Sequence, residues 1–222
     1  MKQIHLQNER QNDFRIAEAF KTLRANLQFC GIGKKVIMVT SCAQSDGKTT
    51  ISYEIANSFA QDGRRVLLLD TDLRKSVMSL RLLGEEYRIG TTNVLSGTHS
   101  FDECVCHTQY PNLDVLFAGD VPPNPSELLG NPEMKDLLDT MSRHYDYILV
   151  DTPPVNVVSD TCVVASMLDG VLILAREGSS RKDGVSQAVQ KLQLTGADLG
   201  QLIVALFGAG HQLALQLAHL GA

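Results

Sequence analysis

Excess basic charge is the first thing this chain lacks. Its 222 residues carry 20 Lys and Arg against 25 Asp and Glu, a net charge of -5 at pH 7. That balance argues against non-specific nucleic-acid binding as the main task. Paired cysteines are lacking too. The five present (Cys30, Cys42, Cys104, Cys106 and Cys162) are scattered and odd in number. With no signal-peptide pattern ahead of them, they exclude a disulfide framework and point to a reducing cytosol. Cys104-x-Cys106-His107 has no second pair at zinc-ligand spacing, so its thiols read as buried or incidental. There is no tryptophan, no repeat, no low-complexity run and no linker. With 44% hydrophobic residues, the sequence reads as one domain over 1–222, long enough to bury a substantial core.

Charge-free apolar runs are absent from residues 1–198 and then arrive at once. Leu199–Ala222 contains no Asp, Glu, Lys or Arg. It is long enough to span a bilayer, yet it holds Gln201, His211, Gln212, Gln216 and His219 and has no flanking basic cluster. A buried strand at Leu202–Leu206 followed by an amphipathic helix is the expected structure.

What is present is strands alternating with helices. Asp13–Phe29 repeats Phe14, Ile16, Ala17, Phe20, Leu23 and Leu27 at helical spacing. Buried strands are predicted at Val36–Val39, Arg65–Asp70, Leu113–Phe117, Tyr147–Asp151 and Gly170–Ala175. Helices are predicted at Thr49–Gln61, Pro132–Ser142, Ser159–Leu168 and Lys182–Leu194. Uniformly apolar strands separated by helices imply an α/β fold with a mostly parallel sheet covered on both faces. Ligands of such sheets bind beyond the carboxyl ends of the strands.

Those ends carry the chemistry. Val36–Val39 runs into Ser41-Cys-Ala-Gln-Ser-Asp-Gly-Lys-Thr-Thr50, the layout of a phosphate-binding P-loop. Loop and helix N–H groups at Gln44, Ser45, Asp46, Gly47, Lys48, Thr49 and Thr50 would meet an anion. Lys48 adds a point charge, and the Thr49 hydroxyl suits Mg²⁺. The loop is imperfect: Cys42 stands where the usual pattern has Gly. Two more strands end in acids, Asp70 with Asp72 just beyond, and Asp151. Carboxylates at the tips of buried strands are well matched to a Mg²⁺ ion bridging phosphates.

With these residues in view the sequence resembles the bacterial protein-tyrosine kinases of capsule and exopolysaccharide synthesis, P-loop proteins related to septum-site and partition ATPases. The resemblance runs from about Ala17 to Leu199. It rests on E-A-F-K-T-L-R-A-N-L from Glu18, the P-loop, V-L-L-L-D-T-D-L-R-K from Val66, P-P-N-P-S-E-L-L from Pro122 and Y-D-Y-I-L-V-D-T-P-P from Tyr145. It implies ATP and Mg²⁺ as cofactors and transfer of the γ-phosphate to tyrosine. Catalytic roles fall on Lys48, Asp70 and Asp72, with Asp70 as acceptor of the tyrosine proton. Metal contacts fall on Thr49, Asp72 and Asp151. Glu18, Lys21 and Arg24 match a motif associated with ring assembly, and their i, i+3, i+6 spacing puts them on one helix face. The implied partners are other copies in a homo-oligomeric ring, a membrane-anchored activator or chain-length regulator, and a cognate tyrosine phosphatase. The implied location is cytoplasmic, recruited to the inner face of the membrane.

The sequence departs from that pattern in two places. Gln44-Ser45 stands where many relatives have Pro-Gly, removing easy access to φ > 0. The tyrosine-rich tail of relatives has no counterpart, since Tyr53, Tyr87, Tyr110, Tyr145 and Tyr147 all lie upstream of it. The uncharged end is compatible with a frameshifted terminus, a domain-swapping tail or a divergent member. A nucleotide-switched ATPase scaffold is the alternative function. A partition-type ATPase fits less well, because Ala43 replaces its signature lysine.

Overall fold

The computed structural model describes residues 2–7, 14–30, 34–176 and 179–196, and the backbone of 202–207 and 213–217. Its strands are β1 (Lys2–Gln3), β2 (Val36–Ser41), β3 (Val66–Asp70), β4 (Cys106–His107), β5 (Leu113–Leu116), β6 (Tyr147–Asp151), β7 (Gly170–Arg176), β8 (Leu202–Phe207) and β9 (Leu213–Leu217). They form one sheet in the order β1-β4-β5-β3-β6-β2-β7-β8-β9. The stretch from β5 through β3, β6, β2 and β7 to β8 is parallel throughout. Antiparallel pairs occur only toward the edges, β4 with β5 and β8 with β9.

The helices are α1 (Phe14–Cys30), α2 (Lys48–Gln61), α3 (Met78–Leu83), α4 (Thr91–Leu95), α5 (Phe101–Cys104), α6 (Pro125–Gly130), α7 (Pro132–Met141), α8 (Asp160–Ala165) and α9 (Lys182–Gln193). Each central strand is apolar on both faces because each face meets a helix layer. Ile37, Val39, Leu68, Leu149 and Leu172 share one core with Leu23 and Leu27 of α1 and Ile55 and Phe59 of α2. Met38, Leu67, Leu69, Val150 and Ile173 face the other core with Leu138 of α7, Val164 of α8 and Leu192 of α9. The alternation along each strand follows from the period of two. Cys104 packs into one core and Cys106 into the other, so the two thiols do not converge.

The C-terminal expectation needs correction. Leu202–Phe207 is a strand, but the predicted amphipathic helix after it is instead β9, paired antiparallel to β8 with Ile203 opposite Leu217 and Phe207 opposite Leu213. Leu213, Leu215 and Leu217 recur every second residue, which is strand periodicity. Adding β9 also gives the outer edge of β8 a hydrogen-bonding partner. Residues 199–201, 208–212 and 218–222, and Asp13 at the expected start of α1, lie outside the described residues. No helix among the described residues is long and apolar enough to cross a membrane.

The carboxyl ends of the strands are joined by buried threonines. Thr40 Oγ1 and Thr161 Oγ1 both donate to the Pro153 carbonyl, at 3.0 and 2.6 Å. Thr152 Oγ1 donates to the Val39 carbonyl, and Thr71 Oγ1 to that of Asp151. Thr91 Oγ1 donates to the Asp70 carbonyl at 2.8 Å. All five side chains belong to fully buried residues, and each hydroxyl is satisfied on a main-chain carbonyl. Gly90 makes the last of these possible. Thr91 N donates to Phe117 O at 2.7 Å, and a Cβ on Gly90 would lie 1.9 Å from that same oxygen. Gly90→Ala should therefore cost about 2 kcal/mol or more of stability in urea unfolding. An unchanged midpoint would show that this loop does not hold the end of β3.

Candidate active site

The site is built where β2, β6 and β3 end side by side. β2 delivers the loop to α2, and the loop needs two left-handed residues, Ser45 at φ 64° and Gly47 at φ 87°. Glycine takes that conformation freely, whereas Ser45 holds it against its own Cβ. The Asp46 carboxylate turns back to accept from Ala43 N at 3.1 Å, which closes the loop on itself. Lys48 opens α2, so its neighbouring N–H groups are those left unpaired at a helix N-terminus.

Asp151 ends β6, the strand hydrogen-bonded to β2, and Asp70 ends β3 directly opposite it in register. Both carboxylates are buried, at 2% and 1% exposure. Asp151 accepts from Thr49 Oγ1 at 2.7 Å and from Ser52 Oγ at 2.9 Å, which ties the first turns of α2 to β6. Asp70 accepts from Ser76 Oγ and, at 3.0 Å, from Asp72 N. Burial pushes the Asp151 carboxyl up to about 6, against the pull of the Thr49 and Ser52 hydroxyls. Burial, and then the Asp151 charge, hold Asp70 well above the usual carboxylate range.

Above this floor lies a cleft of about 420 Å³. Gln44, Ser45, Gly47, Lys48 and Thr49 line one side, and Asp72, Arg74, Lys75 and Arg81 another. Pro153, Pro154, Val157 and Val158 complete the wall. Of the predicted loop residues, Asp46 serves the loop's own closure, and Thr50 Oγ1 accepts from Arg81 Nη1 at 3.1 Å. Lys48, Thr49 and Asp72 thus meet in one cleft; Asp151 and Asp70 do not line it but are hydrogen-bonded to Thr49 and to the Asp72 amide, which do. A second cleft of about 270 Å³ adjoins the first and shares Asp72, Arg74 and Lys75 with it.

The donor set fits Mg²⁺. Two adjacent buried carboxylates that resist ionisation and a threonine hydroxyl offer hard oxygens and want a cation between them. Among the described residues no group of three or more His, Cys, Asp or Glu is arranged to hold a metal unaided. Mg²⁺ does not ask for one, since it combines one or two carboxylates with phosphate and water oxygens.

The predicted assembly triad is divided. Glu18 and Lys21 pair at 2.7 Å on the exposed face of α1. Arg24 turns inward to Asp62 at 3.1 Å and to the Ser58 carbonyl at 2.5 Å, clasping the C-terminal end of α2. Sequence reasoning missed Ser52, although it sits three residues after Thr49 and so shares its helix face. It also missed Ser76, six residues after its partner Asp70, and Ser126 and Asp160, whose partners are remote in the chain.

The raised carboxyl groups fix the sign of a pH effect. Each binds protons in the native state that it releases when unfolded, so its contribution to stability falls as pH rises above the usual carboxylate range, for Asp151 from about 4 through about 6. Replacing Asp70 with Asn removes one member of the repelling pair. As pH rises above the usual carboxylate range, the unfolding free energy of Asp70→Asn should move in its favour relative to the parent. Parallel pH profiles in chemical denaturation would contradict this.

Residues 34–201 match the AAA domain family. Over 180 residues the chain is 36% identical to the tyrosine-protein kinase CpsD of Streptococcus agalactiae, covering 81% of this chain and 79% of that one. Over 178 residues it is 34% identical to the tyrosine-protein kinase YwqD of Bacillus subtilis, covering 79% and 75%. The kinase domain of the Escherichia coli tyrosine kinase ETK superposes with a TM-score of 0.81 at 32% identity, over 91% of this chain and 80% of that structure. The matches span the P-loop, both acid-tipped strands and the helices around them, and on them the chain belongs to the bacterial tyrosine-protein kinases, built on a P-loop AAA-type domain.

Proposed function

We propose that this protein is an ATP-dependent protein-tyrosine kinase of capsular or exopolysaccharide synthesis. The observation that carries the reading is the meeting of Lys48, Thr49 and Asp72 in one cleft, over the paired carboxylates of Asp70 and Asp151. Phosphoryl transfer asks a protein mainly for positioning and charge neutralisation. The P-loop N–H groups and Lys48 bind the β- and γ-phosphates. Thr49 and the Asp70–Asp151 pair are the residues to hold Mg²⁺, which when bound neutralises phosphate charge.

We propose further that the two D-x-D acids exchange the roles that the resemblance implies. Asp70 is buried, engaged by Ser76 and the Asp72 amide, and lines neither cleft, which favours Asp72 over it as the proton acceptor. Asp72 lines both clefts and is the carboxylate to accept the tyrosine proton. Assembly into a ring through the Glu18–Lys21 face and dependence on a membrane-anchored activator belong to the same proposal.

The test follows transfer of labelled γ-phosphate to a tyrosine peptide and to the protein itself. Lys48→Met should lower transfer by at least about 100-fold while leaving thermal unfolding of the nucleotide-free protein within a few degrees. Asp72→Asn should lose transfer at every Mg²⁺ concentration, whereas Asp70→Asn should regain part of it as Mg²⁺ is raised. Recovery by Asp72→Asn instead would restore the original assignment. ATP hydrolysis with no phosphotyrosine from the parent would replace the kinase by a nucleotide-switched scaffold.

A further inference from the structure

Arg74 follows β3 in the D-T-D-L-R-K segment and is held by two residues from elsewhere in the chain. Its Nε donates to Asp160 Oδ2 at 2.6 Å and its Nη2 to Asp160 Oδ1 at 3.1 Å. The same Nη2 donates to Ser126 Oγ at 3.0 Å, and the Ser126 hydroxyl donates in turn to Asp160. Asp160 begins α8, and Ser126 lies in α6, within the P-P-N-P-S-E-L-L segment. The Asp160 side chain is 0% exposed and that of Arg74 43%.

This is more than a surface ion pair. An exposed pair contributes little and requires no buried acid. Burying Asp160 is costly unless its lone pairs are met by good geometry, and the planar two-point fork of Arg supplies that geometry. The hydrogen bonds among the described residues that involve Arg74 use Nε and Nη2, leaving the Nη1 group for other contacts. Arg74 also lines both the 420 Å³ cleft and its 270 Å³ neighbour. A guanidinium held rigid on one edge thus stands where the two clefts meet.

The group that crosses this junction, on the kinase reading, is the γ-phosphoryl group. We propose that Arg74 contacts that group directly, and that Asp160 and Ser126 are positioning residues that hold its guanidinium there. In the transfer, the bond from the γ-phosphorus to its bridging oxygen breaks with its electron pair leaving on ADP. The tyrosine oxygen forms the new bond to phosphorus, and its proton passes to Asp72. The guanidinium offsets charge on the equatorial oxygens throughout. Arg74 therefore distinguishes a nucleoside triphosphate from a diphosphate, because only the triphosphate presents the group it meets.

The inference rests on the kinase reading, but its test does not need turnover. Titration calorimetry would compare Mg-ADP with the Mg-bound β,γ-imido analogue of ATP on the parent, Arg74→Lys, Ser126→Ala, Ser126→Thr and Asp160→Asn. Arg74→Lys and Ser126→Ala should bind ADP within about twofold of the parent and the analogue about tenfold or more weaker, the effect of one lost charge-assisted hydrogen bond. Ser126→Thr, which keeps the hydroxyl, should retain the parent's preference. In peptide phosphorylation, kcat should fall in the same two variants with KM for the peptide unchanged. Equal weakening toward both nucleotides, or an unaltered ratio, would overturn the proposal. Should Asp160→Asn not fold, Arg74→Lys and Ser126→Ala decide the matter. A parent that binds neither nucleotide would overturn the kinase reading itself.

Discussion

Two carboxylates, Asp70 and Asp151, stand opposite each other at the ends of adjacent parallel strands, both out of water. Burial raises the free energy of ionising each, and the Asp151 charge raises that of Asp70 further. The rest of the rim can be understood as a response to that buried charge. Asp151 accepts two hydroxyl hydrogen bonds from α2, and Asp70 one from Ser76 and one from the Asp72 amide. Every one of these donors is neutral. They orient the oxygens and soften their charge without cancelling it. On the proposed function, a divalent cation and a polyphosphate above them would complete that electrostatic set.

Holding such a pair in place requires rigidity nearby. The strands bearing the two acids are apolar on both faces and clamped between two helix layers. Their ends are then fastened by Thr71, Thr91 and Thr152, whose hydroxyls are spent on main-chain carbonyls. The same logic governs Arg24, which clasps the far end of α2 through Asp62 and Ser58. α2 is thereby secured at its N-terminus by Asp151 and near its C-terminus by α1. A helix fixed at both ends keeps Lys48 and Thr49 in register with the acids beneath.

Much of this was legible in the sequence because the relevant signals are local. R-V-L-L-L-D and Y-I-L-V-D announce buried strands tipped by acids, and the switch from an apolar run to Gly47-Lys48-Thr49 announces a loop and helix. The short helices α3 to α6 carry no comparable period and were not foreseen. Leu213-Ala-Leu-Gln-Leu217 was misread because an uncharged run of Leu and Ala satisfies both periods, and only an open strand edge decides between them. Arg24 shares a helix face with Glu18 and Lys21, but its length lets it reach sideways to α2, which spacing cannot show. Asp160 and Ser126 were invisible for a related reason: they matter through Arg74, 86 and 52 residues away.

Ser45 and the carboxylate pair also explain where the fold carries its strain. A non-glycine residue in the left-handed region costs roughly 1–2 kcal/mol, and Ser45 sits there at the mouth of the cleft. The Asp70–Asp151 pair lies at the ends of the neighbouring strands β3 and β6. The two apolar cores and the threonine-tied strand ends offset both costs from outside the site. Strain and stabilisation are therefore separated in space, and on the proposed function a Mg-nucleotide would act on the strained part. It should bind the native chain and not the unfolded one, adding stability as its concentration passes its dissociation constant. A loop already bent to receive phosphate binds it with little further ordering, so the conformational cost is met on folding and not at each turnover.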